Sequence, residues 1–335
     1  MTTVNGSRVS RPIVILGVDR SGTSMVANMV HAWGAAGGDT DQLARRNRWN
    51  RYGNWENTRL QGLVVELLER CRVPYWDRGY RDALIEHARD AVMKSKAERF
   101  VASITSASPA AWFVKEPWLS VQLPFWQRFW GDAVYIVTVR SPRECADSLA
   151  PRLIPSEASG VSLVAFLLLR WQVFLLSILR DTPPARTLFV EYERATRSPR
   201  AEAERINAFL CRTHGVARED RAARMIDIVR PEERHQTAPP FDEEACATDA
   251  QKALYRYLLR KIDEPDLPFD AADYPLYPGY AEYFQNMAWT MAYIGRTRRM
   301  MRMMESYPVR IGIAINNALD TMRRWRPTSK SHPNP

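Results

Sequence analysis

The chain has 335 residues, enough for one large domain or a domain with an appendage, and its 46% hydrophobic and 25% charged residues are ordinary for a globular protein. The four cysteines (Cys71, Cys145, Cys211, Cys246) are scattered with no C-x-x-C pair, which speaks against a zinc site or a disulfide framework and fits a reducing, cytoplasmic setting. Of the formal charge of +9, +6 falls from Gly279 onward, where nine basic residues meet three acids; the rest is nearly balanced, so no nucleic-acid partner is expected and any basic-surface role belongs to the tail.

Residues 1–11 read as a disordered arm, and Met1 to Gly6 hold no apolar signal segment, so export is not expected. An apolar, β-rich run from Pro12 to Leu16 then enters a glycine-bracketed loop, Gly17-Val18-Asp19-Arg20-Ser21-Gly22-Thr23-Ser24, which feeds a helical pattern through Val30. Strand, loop and helix in that order form a phosphate cradle: successive backbone N–H groups and the positive end of the helix dipole point at an anion. Gly17 and Gly22 permit close backbone approach. The spacing is that of the nucleotide pattern G-x-x-x-x-G-K-[ST], but Thr23 stands where the lysine belongs, and the nearby cation is Arg20, inside the loop. A plain structural turn is the other reading of a glycine loop taken alone.

Gly17-x-x-Arg20-Ser21-Gly22-Thr23-Ser24 resembles the 5′-phosphosulfate loop of sulfotransferases that use PAPS (3′-phosphoadenosine 5′-phosphosulfate), especially the bacterial and carbohydrate-type branch, which carries arginine where cytosolic members carry lysine. The resemblance implies that Gly17, Arg20, Ser21, Gly22, Thr23 and Ser24 bind the donor.

Gly34 to Asp39 reads as a flexible turn, and Arg45 to Asn57, rich in Asn, Arg and Trp, as a surface loop over the cradle's mouth. Asn50, Gly53, Trp55 and Glu56 resemble the family's N-x-x-Gly-aromatic-x-Glu segment with slightly shifted spacing. The resemblance implies that Glu56 is the general base, which an attacking hydroxyl needs; the alternative is that Glu56 caps a helix or pairs with a neighbouring arginine. Leu60 to Arg70 predicts a helix with Leu60, Leu63, Val64, Leu67 and Leu68 on one face, and Arg81 to Phe100 a second, more polar one.

Trp112 to Pro117 predicts a short buried strand resembling the family's hydrophobic-x-Lys-Asp-Pro strand end. A lysine at the carboxyl end of a parallel strand faces the ligand crevice, so Lys115 is implied to stabilise charge on the transferring group; a Lys115–Glu116 pair is the alternative. Leu123 to Trp130 predicts an aromatic packing helix. Ala133 to Arg140 is the clearest strand, after which Ser141 suits a cap and Pro142 the first helical position. Arg140-Ser141-Pro142-x-x-x-Ala146-x-Ser148-Leu149 matches the family's 3′-phosphate motif, implying that Arg140 grips the phosphate bidentately and Ser148 adds a bond.

The longest apolar run, Val161 to Leu179, is long enough to tempt a membrane reading. Arg170 at its centre would cost ~3 kcal/mol on insertion scales, so a buried core helix from Leu163 to Arg180 is expected. Arg186 to Glu193 predicts a strand resembling the family's valine-x-Tyr-Glu strand, with Tyr192 either near the adenine or a core-edge tyrosine; a helix from Pro199 to Leu210 follows. In the polar segment Ile228 to Gln236, Arg234 and Arg230 either cover the nucleotide, as basic residues do in relatives, or form a solvated surface. His31 and His235 have no partner spacing that names a metal or a triad.

Phe269 to Tyr280 reads as a linker, and helices are expected over Tyr283 to Glu305 and Val309 to Trp325, broken at Pro308. Their Met, Trp and basic residues suit either the inner membrane surface or packing on the chain's own core or a twin subunit. The resemblance covers roughly Pro12 to Leu210 and not the tail.

Strands alternating with helices predict an α/β fold with a parallel central sheet, of the P-loop NTPase-like sulfotransferase type. The expected layout is an arm (1–11), a sulfotransferase domain (12–268), and a linker with a basic helical extension (269–335). The function implied is transfer of a sulfuryl group from PAPS to an acceptor hydroxyl, on a carbohydrate or glycolipid. Glu56, Arg20 and Lys115 act at the reaction, Arg140, Ser148, Tyr192 and Arg234 bind the donor with the loop, and no metal is required. The alternatives are a P-loop kinase or NTPase and a non-catalytic membrane-associated scaffold.

Overall fold

The computed structural model describes residues 11–44, 55–107, 111–153, 161–215, 221–229, 238–276 and 279–282. All lie in the first of two compact units, Met1–Tyr283. The arm before residue 11, Asn50 and Gly53 of the mouth loop, Arg230 and Arg234, and the C-terminal helices lie outside the described residues.

Four parallel strands form the sheet: β1 (Ile13–Leu16), β2 (Phe113–Lys115), β3 (Val134–Val139) and β4 (Thr187–Glu191), in the order β2-β1-β3-β4. Ile15 aligns with Lys115 on one side and with Ile136 on the other, so the carboxyl ends of three strands meet at one edge. Val139 aligns with Glu191 and brings β4 to the same edge. β1 to β3 are buried along their whole length, which requires near-continuous apolar sequences such as Val134-Tyr135-Ile136-Val137-Thr138-Val139.

Helices cover both faces. α1 (Thr23–Trp33), α9 (Pro199–His214) and α10 (Ala222–Ile226) pack in one core with Ile13, Ile15, Phe113, Val134 and Ile136. α5 (Leu119–Trp130) and α7 (Val161–Asp181) pack together, with α6 (Pro142–Leu153) against α7. The apolar stretch Leu163–Asp181 of α7 is long and apolar enough to cross a membrane, yet 67% of it is buried inside the protein. It is a core helix, as Arg170 leads one to expect.

Three local expectations are corrected. The single helix expected over Arg81 to Phe100 is two, α3 (Tyr80–His87) and α4 (Ala91–Ala107), which follow α2 (Thr58–Cys71). Asp90 makes the break: its Oδ1 accepts the N–H of Met93 at 2.9 Å, the bond by which a residue just before a helix satisfies a first-turn donor. Tyr192 does not extend β4 but opens α8 (Tyr192–Arg197). The Ser141 hydroxyl makes no capping bond, although Pro142 does begin α6. Residues 269–276 lie against the domain: Gln172 Nε2 donates to the carbonyls of Tyr274 and Pro275, and Phe269 and Tyr274 pack on Tyr257 of α11 (Asp249–Asp263).

Candidate functional site

The site is built on the β1–α1 loop. Two glycines there adopt backbone angles that side chains disfavour: φ is 146° at Gly17 and 100° at Gly22. A Cβ on Gly17 would lie 2.3 Å from Thr138 Oγ1, and one on Gly22 2.6 Å from the Tyr192 ring. The loop is braced from beneath. Ser120 Oγ donates to the Gly17 carbonyl at 3.1 Å and accepts the Gly17 N–H at 3.2 Å. Ser21 Oγ donates to the Val18 carbonyl and lies 2.6 Å from Thr138 Oγ1. Fully buried, Ser21 faces inward and holds the loop's shape. α1 starts at Thr23 with no side-chain cap and no acidic residue in its first turn, so its leading N–H groups are offered to an anion.

On one flank stand two guanidiniums. Arg20, at a left-handed φ of 70°, donates through Nε to Ser148 Oγ at 2.9 Å. Arg140, at the end of β3, donates Nη1 to the Arg20 carbonyl at 3.0 Å, and Nε and Nη2 to Glu144 Oε2 at 3.0 and 2.8 Å. Its guanidinium lies 4.3 Å over the Tyr192 ring. Burial, and then the Arg140 charge, lower the Arg20 pKa from its ordinary value. The residues from Gly17 to Ser24, Arg140, Ser148 and Tyr192 are thus assembled around one loop.

On the other flank, Lys115 at the end of β2 is 2% exposed and donates Nζ to Glu56 Oε1 at 2.7 Å. Its partner is Glu56 rather than the adjacent Glu116, and Glu56 pairs with a lysine rather than an arginine. Asn57 fixes Glu56 by capping α2, its Oδ1 accepting the N–H groups of Arg59 and Leu60. The Trp55 ring, next in the chain, packs between His31 and Phe113. Gln61 Nε2 bridges two carboxylates, donating to Glu56 Oε2 at 2.8 Å and Glu116 Oε2 at 3.3 Å. Burial first, and then the Glu56 charge, push the Glu116 carboxyl up to about 7, with Lys115 opposing.

Several contributors have no local sequence signal. Ser120, Thr138 and Gln61 are polar residues within apolar or helical runs, and their partners are distant in the chain. Arg170 forms an ion pair with Asp19 of the loop; its place in an apolar run was visible, its partner was not. A cavity of about 510 Å³ beside α3, α5 and α7 is lined by Tyr75, Trp76, Tyr80, Val173 and Tyr274 among others. Tyr75 in its wall meets Trp118 edge-on at 5.2 Å. No group of three His, Cys, Asp or Glu among the described residues is arranged to hold a metal.

A glycine loop between a central parallel strand and an uncapped helix, with cations at neighbouring strand ends, defines a P-loop-like α/β fold whose loop is laid out as an anion cradle. Residues 12–214 match a sequence profile described as Sulfotransferase family, and the chain belongs to that family. Membership implies a sulfonate donor and a hydroxyl-bearing acceptor. The chain is similar to sulfotransferase STF9 from Mycobacterium avium, with 16% identity, 77% of this chain and 78% of the other covered, and a TM-score of 0.45. It is similar to the sulfotransferase domain of the Synechococcus PCC 7002 olefin synthase, with 16% identity, 86% and 98% covered, and a TM-score of 0.42. For sulfotransferase STF1 from Mycobacterium tuberculosis H37Rv the values are 15%, 66% and 71%, and 0.43. No curated protein sequence matches.

Proposed function

We propose that the protein transfers a sulfuryl group from PAPS to a hydroxyl of a carbohydrate or glycolipid. The observation that carries this reading is the two-sided site: Arg20, Arg140 and Ser148 converge on one flank of the glycine loop, and the Lys115–Glu56 pair, its lysine buried, stands on the other. The residues fit a bis-anionic donor. Close approach at Gly17 and Gly22 is reserved for backbone, and two guanidiniums lie near enough for one to lower the pKa of the other.

Bound PAPS supplies the sulfuryl group. The loop N–H groups and Arg20 hold its 5′ end, and Arg140 and Ser148 its 3′-phosphate. Of the five N–H groups of Arg140, three are used by Glu144 and the Arg20 carbonyl, which leaves two for phosphate. Tyr192 lies beneath that guanidinium and flanks the nucleotide, with Arg234 as a further cover. Lys115 places positive charge at the reacting group and orients Glu56, whose free lone pairs take the acceptor proton. Positioning and electrostatics supply most of the acceleration, as in phosphoryl transfer. The Trp- and Asn-rich mouth and the aromatic cavity suit a hydroxylated ring. A cytoplasmic enzyme whose basic tail rests on the inner membrane face would meet a glycolipid there.

Titration with adenosine 3′,5′-bisphosphate tests the donor: tight, magnesium-independent binding is expected, and a preference for ATP with magnesium ends this reading. Radiolabelled donor offered with glycans, glycolipids and phenols then identifies the acceptor class.

A further inference from the structure

Asp19 is an awkward residue for an anion cradle. It lies in the loop between Gly17 and Gly22, whose backbone N–H groups and following helix attract negative charge, and its side chain is 28% exposed. An uncompensated carboxylate there repels whatever anion the loop receives.

The compensation comes from a distant helix, α7. Arg170, in the middle of α7, places Nη2 on Asp19 Oδ2, and only a tenth of its side chain is exposed. The guanidinium cannot wander: it lies 4.9 Å from the Trp118 ring and 4.7 Å from the Phe174 ring. Tyr75 closes the box, meeting Trp118 at 5.2 Å and Phe174 at 5.8 Å, both edge-on. Burial works against the charge on Arg170, but Asp19, Tyr75 and Glu116 outweigh it and leave its pKa raised. An apolar side chain would pack a core helix at no such cost, so the arginine answers a need of the loop rather than of the core.

We infer that Arg170 is a positioning residue of the donor site: by neutralising and fixing Asp19, it makes the glycine loop an anion site rather than a mixed-charge one. This rests on the reading that the loop receives the donor's 5′ end.

A thermodynamic square tests it, with adenosine 3′,5′-bisphosphate as the probe, isothermal titration as the readout, and thermal unfolding to check folding. Arg170→Met leaves Asp19 unopposed and weakens binding by about tenfold or more, the scale of one unit charge acting on an anion through partly screened protein. Asp19→Asn, with the cation kept, binds at least as tightly as the wild type and with a steeper salt dependence. The double variant restores neutrality and returns to within about threefold of wild type, where each 1.4 kcal/mol is tenfold. A purely structural Arg170 would give a double variant as weak as Arg170→Met, and that result overturns the inference, as does unchanged binding in Arg170→Met. Should Arg170→Met fail to fold, Asp19→Asn decides, and weaker binding in that variant overturns the inference. Absence of binding by the wild type overturns the donor reading itself, which separates the two failures.

Discussion

Glu56→Gln probes the reacting side of the site most directly. Both carboxylate oxygens are occupied, Oε1 by Lys115 Nζ at 2.7 Å and Oε2 by Gln61 Nε2 at 2.8 Å. Glutamine keeps the volume but has one accepting oxygen. Whichever way it turns, its NH₂ group faces either an ammonium or another amide NH₂, so a donor–donor contact replaces a hydrogen bond. Gln61 can flip to accept, but it then turns its oxygen toward Glu116. Lys115, 2% exposed, loses its hydrogen-bonded carboxylate and is left with Glu116 as the nearby acid. Breaking a fully buried pair costs about 3–5 kcal/mol, and water reaching Glu56, 17% exposed, lowers that to about 2–3 kcal/mol. Urea unfolding should show it as a lower midpoint at unchanged slope. Turnover should fall much further, by about 10²–10⁴ in kcat, the usual cost of losing a general base. Binding of adenosine 3′,5′-bisphosphate should stay within about threefold, because the Glu56 carboxylate bonds to neither Arg20 nor Arg140. A kcat within about fivefold of wild type would refute Glu56 as the base. A loss of nucleotide affinity as large as the loss of kcat would assign it to shaping the loop.

Glu116 carries a pH signature. Its folded pKa of about 7 lies above the ordinary 4.5, so between those values the native state holds a proton that the unfolded chain has released. Wild-type stability therefore falls as pH rises through that window, by up to about 1.4 kcal/mol per unit from this group, and the effect levels off above it. Glu116→Gln should lack this component, so urea curves at pH 5 to 8 should show the variant gaining on wild type as pH rises; the opposite trend would sink the assignment. Ser148→Ala removes the bond to Arg20 Nε, and a loss of about 1 kcal/mol should weaken nucleotide binding by roughly fivefold with kcat unchanged. Gly22→Ala should abolish detectable nucleotide binding by titration, since the left-handed backbone costs about 1–2 kcal/mol before the overlap with Tyr192 is counted. Gly62→Ala, at an open helical position, should instead raise stability by about 0.5–1 kcal/mol, which urea unfolding can check.

Legibility in the sequence followed locality. The loop, the Arg140–Ser148 spacing and the buried strands are each written within about ten residues of chain, and the structure has the four strands, α1, α6 and α9 close to the expected positions, while α5 begins four residues early at Leu119 and α8 intervenes after β4. Glu56 and Lys115 were singled out separately, on resemblance, and no pattern in the chain says that they touch. The missed features are those in which one side chain outweighs the local trend. Asp90 starts a new helix where periodicity would continue the previous one, and the Tyr192 ring is drawn over Gly22 where strand propensity would extend β4. The pairing of Asp19 with Arg170 depends on how α7 packs among α5 and α6, which no motif encodes.

The ion pairs around the loop show where its net charge resides. Arg140 is answered by Glu144, Lys115 by Glu56 and Arg170 by Asp19, each at hydrogen-bonding distance. Arg20 has no such carboxylate among the described residues; its side-chain partner is a hydroxyl, Ser148, and its pKa is lowered. On the proposed reading Arg20 stands in for the missing loop lysine, while the other three cations are pre-paired with carboxylates that fix where their charges sit. Pre-pairing lowers the reorganisation needed on binding, because each cation is already held where an anion would want it. It also limits attraction for bulk anions, since three of the four charges are cancelled until a ligand with the right spacing competes for them. A loop with a free lysine would draw any polyphosphate. On the reading proposed above, this one, with its least-answered charge on Arg20 beside Arg140, would favour a ligand whose two anionic groups are set apart by a nucleoside.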